Sequence, residues 1–304
     1  IPYAYTIGNH DLEAALDREG IAKLDMTHPL SVRKTSEGIE NTLNFNVPIY
    51  SSKKEGDLAA NIWLFDTGRQ GCMGREDSWG CVDEAQIQWY EQQSDKIKEK
   101  YGSDVHHIAF LHIPIPEYMM LADEMAIYGR QGEAVCCPNV NSGFFDRVKN
   151  KNDISAMFVG HDHVNNYGGV YDGIELVYGQ KSGYGNYGSV HGVRVIKLKE
   201  DVDTNGKLNV QREHYIIYEN GTIDTSKATQ FKTRKKKGHC PSAGFDSQFT
   251  LIRATGLFDY LLLGAEILLI VIAVCILSKI KFGSLRKQTP YNEFTDEGVE
   301  ANKA

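Results

Sequence analysis

The chain has no excess of positive charge. Its 33 Lys and Arg are outnumbered by 40 Asp and Glu, for a formal net charge of −7, so a broad nucleic-acid-binding surface is not expected. No internal repeat is visible. The composition, 41% hydrophobic and 24% charged, has none of the bias that marks disorder. An initiator methionine is missing as well. Residue 1 is Ile, and the next ten residues already read as a core strand and a site. The true N-terminus, with any signal peptide, is therefore expected upstream. With 29 Gly and 16 Tyr, turns and half-buried strands are expected rather than a helical bundle. Long apolar runs are scarce.

One such run exists. From Leu257 to Leu277 the chain reads LFDYLLLGAEILLIVIAVCIL. At about 1.5 Å per residue this crosses a hydrocarbon core of ~30 Å, and its apolar residues run all round the helix instead of forming one stripe. Asp259 falls at its edge and Glu266 inside it. Lys279, Lys281, Arg286 and Lys287 follow, which puts the tail on the cytoplasmic side. The expectation is a single-pass membrane protein, bound to the lipid bilayer through 257–278, with its large N-terminal part lumenal or extracellular. Asn220-Gly221-Thr222 is a glycosylation acceptor on that side. Of six cysteines, Cys72 and Cys81 flank a short glycine-containing loop and are the expected disulfide if the compartment oxidises thiols.

The organisation read from the sequence is a folded unit over 1–218, a polar linker over 219–256, the membrane helix over 257–278 and a cytoplasmic tail over 279–304. Within the unit, Tyr3–Ile7, 61–65, 107–111, 155–159, 193–198 and 213–218 read as strands. Residues 83–100 read as an amphipathic helix with Asp83 as N-cap and Lys at its end, and 144–148 as a short helix. Strands alternating with helices indicate a layered α/β or α+β domain.

Three histidine-bearing segments follow apolar strands: Gly8-Asn9-His10-Asp11, then His112 in Leu111-His112-Ile113-Pro114, then Gly160-His161-Asp162-His163. Loops at the carboxyl ends of strands can converge on one crevice. Glycine lets the backbone turn there, and imidazoles with an amide oxygen suit divalent first-row metals. In His161-Asp162-His163 the two imidazoles can leave a bent loop in different directions and serve two adjacent ions. Asp162 itself is expected to turn outward. Glu117 reads either as a group near the substrate or as a solvated loop residue, and Asn165, Asn166 and Tyr167 read as loop contacts beside the site.

In this order and spacing the segments resemble the calcineurin-like metallophosphoesterases. "GNHD", "FLHIPIPEY", "VNSGFF", "FVGHDHVNNYGG" and "YGQKSGYGNYG" look like the purple-acid-phosphatase-related branch. The resemblance covers roughly residues 1–200. It implies a four-layer α/β/β/α sandwich of which this chain holds the C-terminal part, two metal ions drawn from Fe, Mn or Zn, and a bridging hydroxide that attacks a phosphate ester. By matching motif, Asn9, His112 and His161 would bind one metal and His163 the other. His10 would contact the phosphate and protonate the leaving oxygen, and Asp11 would orient His10. The implied activity is that of a phosphomonoesterase, with a phosphodiesterase as the alternative. The family's earlier motifs, an Asp-x-His and a GDxxD-type segment, would precede GNHD and complete the dinuclear centre. Without those ligands the fold would serve as a membrane-anchored, non-catalytic binding protein. The purple enzymes proper carry a tyrosine ligand upstream of this segment and commonly GNHE rather than GNHD, so a purple Fe(III) centre is not implied.

Overall fold

The structure is a computed structural model and describes residues 1–13, 15–34, 43–226, 230–231 and 240. The chain divides into the units Ile1–Phe245 and Asp246–Ala304, and every described residue lies in the first. The expected membrane helix at 257–278 and tail at 279–304 lie outside the described residues. Among the described residues, no helix is long and apolar enough to cross a membrane.

A 3-10 turn at Asp11–Glu13 comes first, then α1 (Arg18–Met26), β1 (Phe45–Tyr50), β2 (Leu58–Leu64) and a small hairpin of β3 (Gln70–Cys72) and β4 (Arg75–Trp79). Next are α2 (Glu84–Tyr101), β5 (His106–Phe110), α3 (Glu117–Glu124), β6 (Ala126–Ile127), α4 (Phe144–Lys151) and β7 (Ile154–Val159). The remaining strands are β8 (Gly168–Tyr171), β9 (Ile174–Tyr178), β10 (Gly192–Val202), β11 (Leu208–Tyr218), β12 (Ile223–Asp224) and β13 (Gln230–Phe231). The domain is thus mixed α/β, as expected.

The main sheet has six strands in the order β1-β2-β5-β7-β9-β8. β2, β5, β7 and β9 are parallel neighbours, and antiparallel β1 and β8 close the edges. β2 and β7 are buried at almost every position, because both faces of a parallel sheet are covered. On one face, Trp63, Ala109 and Met157 pack against Trp89, Tyr90 and Phe144 of the helices. On the other, Ile108, Phe158 and Val177 meet Ile196 of β10, which forms a second sheet with β11 and β12. α2 starts where Asp83 accepts the Gln86 amide at 2.9 Å while the Gln86 side chain returns to the Asp83 amide at 2.8 Å, a full capping box.

Two expectations change. Tyr3–Ile7 is not a strand. It makes one parallel bridge, Tyr3 to Ser31, because side chains take the place of a neighbouring strand: Arg33 donates to the Tyr5 carbonyl at 2.5 Å, and Thr6 donates to that of Phe65 at 2.7 Å. The segment assigned to a linker after 218 is tied back to the body. β12 pairs with β11, β13 pairs with β6, and Cys240 forms a disulfide with Cys137. The expected Cys72–Cys81 disulfide is also present.

Between the sheets sits a polar cluster. Glu175 of β9 accepts from Arg212 at 2.7 Å and from His214 and Tyr128 at 3.0 Å each. Arg194 lies 3.1 Å from His214 Nδ1, and its guanidinium can only donate, so Nδ1 accepts and the imidazole proton sits on Nε2, toward Glu175. Burial alone would push the Glu175 carboxyl up. The hydrogen bonds from His214 and Arg212, with the Arg212 charge, outweigh burial and bring it from 4.5 down to about 2. A depressed carboxyl contributes stability that is complete above its unfolded value and is lost as pH falls through its folded one. The protein should therefore lose stability between about pH 4.5 and pH 2. Denaturant melts across that window should show Glu175→Gln with a shallower pH dependence than the wild type; parallel curves would reject the assignment.

Candidate metal centre

The parallel strands bring their carboxyl ends to one edge. β5 runs on into Leu111 and His112, and β7 into Gly160 and His161; the Gly160 amide donates to the His112 carbonyl at 3.1 Å, which extends the ladder into the loops. The Gly8–Asp11 turn lies against this edge. His112 Nε2 is 2.8 Å from Asn9 Oδ1, and the rings of His112 and His161 have centroids 5.3 Å apart. Space is tight. A Cβ on Gly8 would stand 3.1 Å from His112 Cε1, and one on Gly160 would stand 3.5 Å from His112 Nδ1. Glycine at position 8 is what lets its loop close on the imidazole, whereas at 160 a Cβ would make an ordinary contact.

Burial pulls the His112 imidazole down to about 3, assisted by the neighbouring imidazoles of His161 and His10, beside which a further positive charge is disfavoured. It is held neutral, the form that ligates a metal. His163 is also lowered, first by burial and then by Lys181; its ring stacks on Tyr187 with centroids 4.4 Å apart. His161 Nε2 and His163 Nδ1 are buried without a hydrogen-bond partner among the described residues. An amide oxygen, neutral imidazoles and two such orphaned ring nitrogens are a donor set that fits divalent metal ions. Cys136, His161 and Asp162 also bring ligand-type atoms within 4.8 Å of one another. A hollow of about 490 Å³ lined by Arg130, His163, Asn166, Gln180 and Tyr218 opens beside His163. A larger groove of about 840 Å³ reaches His112 but is walled mainly by apolar residues such as Phe110, Phe158 and Ile196.

Asp162 does not turn outward; it is 4% exposed. Its carboxylate accepts from Tyr178 Oη at 2.5 Å and from the Cys136 amide at 3.2 Å, and lies 3.2 Å from His161 Nδ1. A charge at that depth is tolerated only when hydrogen-bonded, and carrying it inward leaves His161 with a left-handed backbone, φ 69°, uncommon for a side chain with a Cβ and typical of sites. Asn165 and Asn166 are loop contacts, as expected. Asn165 accepts the Gly132 and Glu133 amides at 2.9 and 3.0 Å, and Asn166 accepts that of Arg130 at 2.8 Å. Glu117 is neither solvated nor in the site. It is buried at the start of α3, receives Asn141 at 2.7 Å and has its carboxyl pushed up by burial.

At the turn, the expected pairing of Asp11 with His10 is not formed. Asp11 accepts the Gly8 amide at 2.7 Å, and His10 Nδ1 faces Glu13 Oε1 at 2.9 Å. Arg69 meets the same Glu13 oxygen at 3.1 Å. The β3–β4 hairpin that follows Arg69 also sets the edge of Trp79 against His161, centroids 4.7 Å apart. Sequence reasoning passed over Glu13, Arg69, Trp79 and Tyr187. Only Glu13 had a legible signal, its spacing of three from His10.

A mixed α/β domain with an Asn and three His gathered at strand ends is the arrangement its motifs imply for a metallophosphoesterase. No family model matches the chain. Among curated proteins it is similar to probable inactive purple acid phosphatase 29 of Arabidopsis thaliana, 29% identical over 203 residues, 62% of this chain and 52% of that protein. It is also similar to probable inactive purple acid phosphatase 14 of the same plant, 28% identical over 258 residues, 79% of this chain and 61% of that protein. Phosphatase DCR2 of Saccharomyces cerevisiae is 27% identical over 180 residues, 55% of this chain and 30% of that protein. The curated homologues are purple-acid-phosphatase-like proteins, and the chain spans about half to three fifths of the length of these two plant relatives.

Removing the Asp162 carboxylate strands the Tyr178 hydroxyl and the Cys136 amide in the interior. Asp162→Ala should destabilise the fold by roughly 2–4 kcal/mol, and Asp162→Asn by less, read as shifts in denaturant midpoint. Equal, negligible shifts would show the carboxylate to be dispensable.

Proposed function

We propose that this chain is the C-terminal part of a metal-dependent phosphoric-ester hydrolase, a phosphomonoesterase first and a phosphodiesterase second. The observation that carries the reading is the convergence of Asn9, His112 and His161 at the strand ends, with buried unpartnered nitrogens on His161 and His163. Asn9, His112 and His161 would hold one ion and His163 a second, each Fe, Mn or Zn. Remaining carboxylate ligands and the other strands of a four-layer sandwich would come from segments preceding Gly8. Two ions held there lower the proton affinity of water and offset the charge on the phosphoryl group. His10, with a side chain 63% exposed, is free to reach a substrate, contact the phosphate and protonate the leaving ester oxygen as the bond from phosphorus to that oxygen breaks. The hollow beside His163, with Arg130 at its wall, gives a leaving group room.

A non-catalytic binding protein is the second reading. It draws support from the names of the plant relatives, which call them probably inactive, whereas the yeast relative is named a phosphatase. His161→Ala and His163→Ala in the full-length protein should each abolish hydrolysis of 4-nitrophenyl phosphate, as should removal of metal by a chelator. Full activity in both variants would sink the assignment, and an inactive wild type would favour the binding protein. A panel of phosphate monoesters and diesters separates the two enzymatic forms.

We further propose that the domain is lumenal or extracellular and is carried by a membrane helix at 257–278. Its two disulfides suit an oxidising compartment, and Asn220 is exposed in the turn between β11 and β12. Glycosidase treatment of the protein from its native host should increase its gel mobility, and Asn220→Gln should remove that change. A cytosolic domain would show no such change.

A further inference from the structure

We infer that Glu13 is the positioning residue for His10, and that Arg69 holds Glu13 in place. The inference rests on the phosphoesterase reading and assigns a task to two residues that it leaves idle.

The local backbone makes the pairing. Asp11–Glu13 is a single 3-10 turn, closed by the Glu13 amide donating to the His10 carbonyl at 3.0 Å. With three residues per turn, side chains at i and i+3 eclipse, so residues 10 and 13 rise on one side. Asp11, the obvious neighbour, is already engaged, since its Oδ2 takes the Gly8 amide at 2.7 Å and shapes the turn that presents Asn9. The Glu13 carboxylate therefore meets His10 Nδ1, at 2.9 Å. A carboxylate can only accept, so Nδ1 carries a proton and Nε2 is directed away from Glu13. This is the nitrogen with access to an ester oxygen. When that oxygen leaves phosphorus it keeps the bonding electron pair and takes the Nε2 proton of a ring protonated on both nitrogens, which is left as the neutral Nδ1–H tautomer. The ring gives up one proton and Nδ1–H stays on Glu13.

Glu13 alone would be a loose support, with a side chain 49% exposed. Arg69 restrains it by donating to the same oxygen at 3.1 Å. Arg69 directly precedes the hairpin whose Cys72 is bonded to Cys81, so its backbone is anchored close to a covalent link. A surface ion pair of this kind contributes little to folding; its consequence is for the direction and tautomer of one imidazole. That separates this role from a structural one.

The full-length protein should be assayed with 4-nitrophenyl phosphate, a good leaving group, and phenyl phosphate, a poor one. Proton donation matters more to the poor leaving group. Glu13→Gln should lower kcat on phenyl phosphate by about tenfold or more, with a smaller loss on 4-nitrophenyl phosphate and an unchanged KM. Glu13→Asp should recover part of the loss, and Arg69→Ala should show the same pattern more weakly. His10→Ala combined with Glu13→Gln should be no slower than His10→Ala. Equal losses on both esters, or a double variant slower by the full Glu13→Gln factor, would overturn the role. If the wild type hydrolyses neither ester, the phosphoesterase reading fails by itself. Nitrogen-15 spectra of histidine-labelled protein then still decide the pairing, the His10 signals being assigned by their loss in His10→Ala. The wild type should show the Nδ1–H form and Glu13→Gln a tautomer mixture; identical spectra would overturn the inference.

Discussion

A carboxylate shut away from water has to be given hydrogen bonds, and at Asp162 they come from four separate places. Tyr178 reaches it from the end of β9, the Cys136 amide from the segment after β6, Asn165 from further along its own loop, and His161 from the adjacent position. One donor is on a strand, one on the segment after β6 and two on the loop of Asp162 itself. The demand of one buried carboxylate thus ties the loop after β7 to the end of β9 and to the 134–137 segment, next to a His161 with a left-handed backbone conformation. The direction of the imidazoles, and with it the geometry of the candidate centre, follows from where that carboxylate sits.

Around this point the molecule is built in parallel. Strands whose apolar runs demand cover on both faces share a direction, and sharing a direction puts their carboxyl ends on one edge. His112 and His161 are neighbours for that reason, although 49 positions separate them in the chain. The β3–β4 hairpin closes the same edge from outside. It places Trp79 against His161 and is preceded by Arg69, which meets Glu13. One small disulfide-closed element therefore touches both a candidate ligand and the support of the candidate acid.

Much of this was legible from residue type and spacing. Glycines beside histidines at the ends of apolar runs marked the loops, and Asp83 as an N-cap marked the start of α2. What was not legible depends on long-range pairing. Tyr3–Ile7 has strand-forming residues but no strand pairs with it among the described residues; instead Arg33 donates to its Tyr5 carbonyl and its Thr6 donates to the Phe65 carbonyl. Asp162 reads as a polar residue in a polar loop; the arrival of distant donors, Tyr178 at 2.5 Å and the Cys136 amide at 3.2 Å, makes its burial tolerable. Asp11 adjoins His10 in sequence, yet the 3-10 turn hands the imidazole to Glu13. The Glu175, Arg212 and His214 cluster combines two strands of different sheets, and no local pattern announces it.

The bond between Cys137 and Cys240 joins residues 103 positions apart. It encloses α4, β7, the loop with His161 and His163, and the whole second sheet within one covalent ring. A single protease cut anywhere in that ring would open it without releasing a fragment, and the two pieces would separate only once the disulfide was reduced. For a protein exposed to proteases the nicked form could retain its shape and its site. Damage to the backbone and loss of the molecule would then be two events, divided by the redox state of the surroundings.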